Sequence, residues 1–167
     1  YKKEKFQYVK SLQNFKEINQ NMFIREPFAV RFKSNNFDFI YIICHSIFGE
    51  TEKNRILEAS NYEKVYNYYA NLSPEEDDII IAGDFNLPAN NLAFKSLLDN
   101  NNLSYIINPF WFKTTLSDKG LASSYDNIFI NKQKTLEYTG RYGVYDYTKM
   151  NHKLVRKWVS DHLPVFI

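Results

Sequence analysis

Apolar residues along the chain fall into short runs that predict β-strands. The runs are rich in β-branched and aromatic side chains and end at polar or turn-forming residues, which is typical of strands. The predicted strands are Phe6 to Val9, Phe28 to Phe32, Phe37 to Cys44, Asp78 to Ala82, Asp126 to Ile130 and Pro164 to Ile167. Because neither a linker nor a repeat interrupts them, we expect a single domain over residues 1–167.

A helical period replaces the short runs in two places. From about Glu52 to Leu72, apolar side chains recur at three- and four-residue steps, which predicts one face of a helix about five turns long. A shorter helix is predicted from about Leu92 to Leu98, with Asn90 or Asn91 as its cap and the cluster 100–102 as its end. Strands and helices in this order predict an α/β (α+β) chain whose helices cover sheets.

Composition and charge restrict the function only loosely. The chain is 44% hydrophobic and 24% charged, as in globular domains, and its aromatic content of 17% suits cores and sheet faces. The net charge of +2 permits a phosphate-bearing substrate without arguing for one. The single Cys44 lies in an apolar run, so we expect a buried, inert thiol and no intrachain disulfide. No apolar stretch approaches bilayer length, so no membrane span is expected.

The sharpest local candidate for chemistry is the end of the strand Asp78 to Ala82. Gly83 follows that strand, and Asp84 and Asn86 come two residues apart, so both side chains can lie on one side of an extended backbone. A carboxylate and an amide oxygen at a strand edge suit a hard cation such as Mg²⁺. The same residue types also form ordinary turns, and this segment alone leaves the two interpretations even.

Three further segments carry polar side chains at strand ends. Adjacent Asp161 and His162 would point to opposite sides of an extended backbone, so one can bind metal while the other handles a proton. Asp126 opens an apolar strand, where a histidine partner would offset the cost of burying its charge. His45 directly follows another strand. Each has a simpler interpretation: a solvated polar pair, a surface aspartate and a structural histidine.

Taken together, these segments resemble the endonuclease/exonuclease/phosphatase superfamily, whose hallmarks include the Gly-Asp-Phe-Asn and Ser-Asp-His sequences present here. The matching positions in order are His45, Asp84, Asn86, Asp126, Asp161 and His162. The segment 25–32 and the pair Thr114-Thr115 upstream of Asp126 look like the pancreatic-type deoxyribonuclease branch.

The resemblance implies a four-layer α-β-β-α sandwich of two packed mixed sheets. This chain would be the C-terminal two-thirds of the domain, supplying the second sheet and part of the first. The family's early asparagine and two early glutamates would precede Tyr1, so we expect the chain alone to be nearly inactive. The disulfide of the mammalian members is impossible with one cysteine, and their calcium loop is not clearly matched around Lys113 to Ser117.

The resemblance also implies a reaction, in which water attacks phosphorus in line and a phosphodiester bond is hydrolysed. His162, held by Asp126, would be a general base or acid. His45 would take the complementary acid role or contact the phosphate.

The implied cofactor is Mg²⁺ or Mn²⁺, which offsets charge developing on phosphate oxygens. Asp161 would bind one metal ion, while Asp84 and Asn86 would bind a second ion or the transition state. Arg25 could clamp a phosphate oxygen through its planar fork, or it could be a plain surface arginine.

The expected substrate is therefore a nucleic acid, with DNA preferred, and no obligate protein partner is indicated. One alternative is a phosphatase or phospholipid phosphodiesterase of the same superfamily, although the segment 25–27 favours the nuclease. Another is a non-catalytic binding module with the same fold, against which the intact site residues argue. The compartment stays open.

Overall fold

A computed structural model of the chain describes residues 4–16 and 22–167. Its strands are β1 (Gln7–Ser11), β2 (Phe28–Ser34), β3 (Phe37–His45), β4 (Ile79–Asp84), β5 (Ser104–Tyr105), β6 (Leu116–Ser117), β7 (Gly120–Leu121), β8 (Asp126–Ile130), β9 (Gly143–Val144) and β10 (Val165–Phe166). Its α-helices are α1 (Glu52–Ala59), α2 (Tyr62–Leu72), α3 (Lys95–Asn101) and α4 (His152–Trp158).

A mixed six-stranded sheet in the order β1-β2-β3-β4-β8-β5 organises the molecule. Only β3 and β4 run parallel, and the other neighbouring pairs are antiparallel. The parallel pair is joined by α1 and α2, as a crossover between parallel strands requires. The carboxyl ends of β3 and β4 therefore meet the amino end of β8 at one edge of the sheet.

Alternate residues of the central strands face two separate hydrophobic clusters, because successive side chains in a strand point to opposite faces. On one face, Ile40 and Ile42 of β3 and Ile81 of β4 are fully buried against Tyr69 of α2 and Leu97 of α3. The sheet residues of the other cluster are Phe39, Ile80, Ala82, Ile128 and Ile130. Helices therefore cover one face of the sheet.

The opposite face is partly covered by a two-stranded ribbon of β9 and β10, whose Val144 and Val165 pack against the second cluster. Within the described residues, this ribbon represents the second sheet. A separate hairpin is formed by β6 and β7. The α+β class and sandwich-like arrangement expected from the sequence are confirmed. No helix among residues 4–16 and 22–167 is both long and apolar enough to cross a bilayer.

The single helix predicted from Glu52 to Leu72 is wrong, because two helices occupy that span. Ser60 Oγ and Asn61 Nδ2 both donate to the Leu57 carbonyl, at 2.8 and 2.9 Å. The Asn61 backbone N–H instead bonds to Glu58, three residues back. Side chains that take over a backbone acceptor interrupt a helix, so α1 ends at Ala59 and α2 begins at Tyr62.

The second predicted helix is present, with a tighter first turn. A 3-10 turn spans Leu92–Phe94, and Asn91 caps it by accepting a hydrogen bond from the Ala93 N–H at 2.9 Å. α3 then ends at left-handed Asn102, within the predicted asparagine cluster. The predicted strand Pro164 to Ile167 contains β10, but the sequence patterns did not predict α4 or the other two-residue strands, which are too short to show a period.

Far from the edge where β3 and β4 end, Arg31 joins three acids. Its guanidinium contacts Asp38 at 2.7 Å, Glu75 at 2.8 Å and Glu76 at 3.1 Å. Burial, aided by the nearby Asp38 carboxylate, raises the pKa of Glu76 to about 7, although the Asp78 N–H and Arg31 favour its charged form. Folding therefore favours a protonated Glu76.

Candidate active site

The predicted site residues come together because four chain segments end at the same edge of the sheet. His45 and Asp84 are register partners at the ends of parallel β3 and β4. Asp126 opens β8 directly opposite Asp84. A single antiparallel bridge between Thr115 and His162 brings the C-terminal segment to the same place.

Gly83 allows β3 and β4 to approach closely just before His45 and Asp84. A Cβ atom built on Gly83 would lie 1.8 Å from the Cys44 carbonyl oxygen, and the Gly83 φ of 151° disfavours other residues. The glycine of the Gly-Asp-Phe-Asn sequence is thus a packing requirement. It places Asp84 beside His45.

Asp126 and His162 form a hydrogen-bonded pair, with 2.8 Å between Asp126 Oδ2 and His162 Nδ1. Fully buried Thr114 fixes the start of β8, because its hydroxyl accepts the N–H groups of Tyr125 and Asp126, each at 3.0 Å. The Thr114 carbonyl also accepts the Leu163 N–H at 2.7 Å. One threonine therefore holds both members of the pair in place. The sequence marked Thr114 only as part of the family resemblance.

The Asp84 carboxylate lies between the two histidines. Its Oδ2 atom is 3.7 Å from His162 Nε2 and 3.9 Å from His45 Nε2. Its Oδ1 atom accepts the Asn86 N–H at 2.9 Å, which fixes the carboxylate plane. His45 remains mostly exposed, whereas Asp84, Asp126 and His162 are half-buried. Both imidazoles can thus reach a ligand bound at Asp84.

The protonation states of His162 and Asp84 follow from their contacts. The hydrogen bond that His162 donates to Asp126, together with the charges of Asp126, Asp84 and Asp161, raises the pKa of His162 to about 9 despite partial burial. Burial and the Asp126 charge also raise the pKa of Asp84, although the Asn86 N–H and the two histidines oppose this. At neutral pH His162 therefore carries a proton that it can donate.

Asn86 adopts a left-handed backbone conformation, with a φ of 50°, and is buried. Asparagine tolerates this conformation better than most residues. Its Nδ2 donates to the Ser46 carbonyl at 2.9 Å, which leaves the amide oxygen available. Exposed Arg25 contacts the same carbonyl at 3.5 Å. Arg25 therefore lies close behind His45, and its contact with a phosphate stays a prediction.

Behind His45, a buried carboxylate holds the loop that follows β3. Glu58 of α1 is 3% exposed, and its Oε1 accepts the Ile47 N–H at 3.2 Å. Buried Ser46 is bound through its hydroxyl to Tyr62 at 2.5 Å. Burial raises the pKa of Glu58 while the Ile47 N–H opposes this. No motif in the sequence indicated these supporting residues.

Ligand atoms suited to a divalent cation meet at this edge. One atom each from Asp84, Asp126 and His162 lie within 4.8 Å of one another. Carboxylate oxygens and an imidazole nitrogen are common ligands of divalent metals. The exposed Asp161 is not one of these three but lines the same groove. Its predicted role as a ligand stays a prediction, as does that of Asn86.

An open groove of about 700 Å³ is lined by the predicted site residues other than Arg25, namely His45, Asp84, Asn86, Asp126, Asp161 and His162. The other residues that line it are Phe48, Thr115, Leu116, Ser123, Tyr125, Arg156 and Ser160. Polar and aromatic side chains therefore surround the acidic centre, and the groove is open to a large ligand.

The chain belongs to the endonuclease/exonuclease/phosphatase family, whose model matches residues 22–162. Members of this family are hydrolases that include nucleases and phosphatases, and they generally depend on divalent metals. The match covers His45, Asp84, Asn86, Asp126, Asp161 and His162. No curated protein sequence matches the chain significantly.

Solved structures share the fold at low sequence identity. A family protein from Bacteroides thetaiotaomicron is similar at a TM-score of 0.59 and 18% identity, over 99% of this chain and 66% of the other. The mannosyl-6-phosphatase of the same organism gives 0.59 and 16%, over 99% and 67%. D. rerio TDP2 complexed with a single-strand DNA product gives 0.56 and 14%, over 98% and 68%. The chain spans about two thirds of these structures.

Proposed function

We propose that the protein is a Mg²⁺- or Mn²⁺-dependent phosphodiesterase, and that its preferred reaction is endonucleolytic hydrolysis of DNA. Its nearest functional analogues would be the pancreatic-type deoxyribonucleases. The observation that carries the proposal is the hydrogen-bonded Asp126–His162 pair facing Asp84 and His45 in one open groove.

Hydrolysis of a phosphodiester needs proton transfer at two places, the attacking water and the leaving oxygen. The two imidazoles approach Asp84 Oδ2 at 3.7 and 3.9 Å, so a phosphate at this point can contact both. Asp126 fixes the tautomer and orientation of His162. We assign proton transfer to His162 and assign the complementary acid role or a phosphate contact to His45.

The groove fits a hard divalent cation, because the carboxylate oxygens of Asp84 and Asp126 converge there. Asp161 would bind one ion, while Asp84 and Asn86 would bind a second ion or the transition state. The cation would offset the negative charge that develops on the phosphate oxygens. Arg25 would add a cationic contact from behind His45.

We propose DNA over other phosphoesters as the substrate for three reasons. Residues 25–32 and Thr114-Thr115 resemble the deoxyribonuclease branch, and one structural relative was captured with a DNA product. The groove is also open rather than a closed pocket for a small sugar phosphate. A phosphatase relative makes monoester hydrolysis the alternative to test.

The test is a substrate panel applied to the full-length protein, since this chain spans about two thirds of its structural relatives. We propose that residues 1–167 are the C-terminal part of one catalytic domain. The panel contains supercoiled plasmid, RNA, a phosphomonoester and phosphatidylcholine vesicles, each with Mg²⁺ or with excess chelator. We expect Mg²⁺-dependent nicking of the plasmid that the chelator abolishes.

Asp84→Asn should remove the nicking activity, whereas Asp99→Asn, at an exposed position of α3, should retain it. If the phosphomonoester is the only substrate in the panel that is hydrolysed, the protein is a phosphatase and not a nuclease. Full nicking in excess chelator would contradict the metal-dependent mechanism.

A further inference from the structure

Helix α4 carries an apolar stripe that faces solvent instead of the core. Leu154 and Trp158 lie one turn apart on α4 and are 52% and 72% exposed, and Met150, in the turn before the helix, is 84% exposed. Val159 extends the stripe and is also exposed, and no residue of α4 is buried. A helix normally packs such a stripe against its own protein. Exposed apolar stripes of this kind mark interaction surfaces.

Lysines lie beside these apolar residues, with Lys153 and Lys157 one turn apart on α4 and Lys149 in the turn before it. Lys149, Lys153 and Lys157 are all exposed, and the Lys157 ammonium lies 4.9 Å from the Trp158 ring centre. Arg156 instead pairs with Asp118 at 2.9 Å, which ties α4 to the turn of the β6–β7 hairpin. The segment 149–160 carries four cations and no acid, whereas the whole chain has a net charge of only +2. The remaining residues therefore carry a net charge of −2.

The turn that presents the stripe has an unusual backbone. Lys149 and Met150 are consecutive non-glycine residues in the left-handed region, with φ of 48° and 67°. This conformation is costly for long side chains. It directs an 84% exposed Met150 into solvent next to a lysine. At that exposure the Met150 side chain contributes little to the packing of the described residues.

We infer that α4 and its preceding turn form a docking surface for an anionic lipid bilayer. Exposed aliphatic and indole side chains beside a row of lysines match a helix lying in the bilayer interface, with its apolar side among the acyl chains and its cations at the headgroups. A nucleic acid would use the lysines and could stack on Trp158, but it offers nothing apolar to Met150, Leu154 and Val159. The aliphatic residues therefore favour lipid.

This surface lies next to the groove, because Arg156, Ser160 and Asp161 line the groove directly after or within α4. Docking would hold the catalytic edge close to a membrane. The inference goes beyond the proposed function and does not depend on it, since vesicle binding is measured in chelator without turnover.

The experiment follows Trp158 on vesicles. The chain has two tryptophans, so a Trp111→Phe background leaves Trp158 as the single fluorophore. The probes are phosphatidylcholine vesicles with or without about one third phosphatidylglycerol. With anionic vesicles we expect a blue shift of Trp158 emission, protection from aqueous quenchers and co-sedimentation that weakens with salt. Neutral vesicles should bind at least about tenfold more weakly.

Matched variants then locate the surface. Lys153→Glu/Lys157→Glu should weaken partitioning by at least about 25-fold, at roughly fivefold for each lost cation. The control Lys132→Glu/Lys134→Glu makes the same charge change at exposed positions elsewhere and should bind nearly as wild type. Trp158→Ala, measured by sedimentation, should lose about tenfold, whereas Leu136→Ala, 81% exposed, should not.

Several results would overturn the inference. These are absence of vesicle binding, equal losses in the α4 and control variants, and binding of single-stranded DNA at Trp158 with none of vesicles. Self-association of the chain that Trp158→Ala abolishes, without vesicle binding, would assign the surface to a second copy instead. If the protein binds vesicles but has no nuclease activity, the proposed function is rejected and the inference about the docking surface stands.

Discussion

The hydrogen bond between Asp126 and His162 makes a quantitative prediction, because the two residues should contribute to catalysis as one unit. The bond is 2.8 Å long and links a half-buried carboxylate to a half-buried imidazole. Asp126→Ala removes both the charge and the tautomer control, and His162→Ala removes the proton-transfer group. Once His162 is removed, removing Asp126 as well should have little further effect on the chemistry.

The expected sizes follow from the geometry. A positioned acid or base contributes about 10²- to 10⁴-fold, so His162→Ala should lower kcat by roughly 10³-fold. A charge-assisted hydrogen bond stabilises by about 1.5–3 kcal/mol, and loss of orientation adds to this, so Asp126→Ala should cost roughly 10²- to 10³-fold. The double variant should be at most about threefold slower than His162→Ala. The coupling would then be near 3 kcal/mol.

The assay is kcat for plasmid nicking by the full-length protein at saturating Mg²⁺, with unfolding midpoints recorded for every variant. Asp99→Ala is the matched control, since it removes an exposed carboxylate of α3 whose partner is Lys95. If the losses of the two single variants multiply in the double variant, the pair is not a unit and the assigned role of Asp126 is wrong.

Three further changes test separate parts of the structure. Asp84→Ala should lower kcat by at least about 10²-fold with little change in unfolding midpoint; unchanged turnover would exclude Asp84 from the site. Protonation of Glu76 stabilises the fold, and this contribution is fully present below the ordinary pKa of 4.5 and lost as the pH rises through about 7. Between about pH 5 and 8 the free energy of unfolding should therefore fall less in Glu76→Gln than in the wild type, by up to about 3 kcal/mol. Parallel pH profiles in urea unfolding would contradict this. Gly83→Ala should cost at least about 3 kcal/mol, because its Cβ would overlap the Cys44 carbonyl; a near-normal midpoint would show that β3 and β4 can separate.

Much of the sheet was predictable from sequence because its central strands are buried on both faces and therefore appear as short continuous apolar runs. Phe37 to Cys44 and Asp78 to Ala82 read as strands for this reason, and the structure places β3 and β4 there. The long helix was mispredicted because the apolar period continues across Ser60 and Asn61. Only the side-chain bonds of these two residues to Leu57 show where the helix breaks.

The grouping of His45, Asp84, Asp126 and His162 was predictable because each lies at a strand end and the family motifs fix their order. The residues that hold them were not. Thr114 and Glu58 act through bonds to backbone N–H groups 11 to 12 positions away. Such contacts leave no local pattern in the sequence. Asp161 shows the opposite case, since its motif was clear but its carboxylate lies outside the three-residue cluster.

The central claim is that this groove holds a divalent cation beside the Asp126–His162 pair. The most direct measurement is Mn²⁺-induced line broadening of imidazole resonances in the ¹⁵N-histidine-labelled protein, assigned with His45→Gln and His162→Gln. Substoichiometric Mn²⁺ should broaden His45 and His162 well before His152, which begins α4, and Asp84→Ala should abolish that selectivity. Equal broadening of all three histidines, or selectivity that survives Asp84→Ala, would contradict the claim.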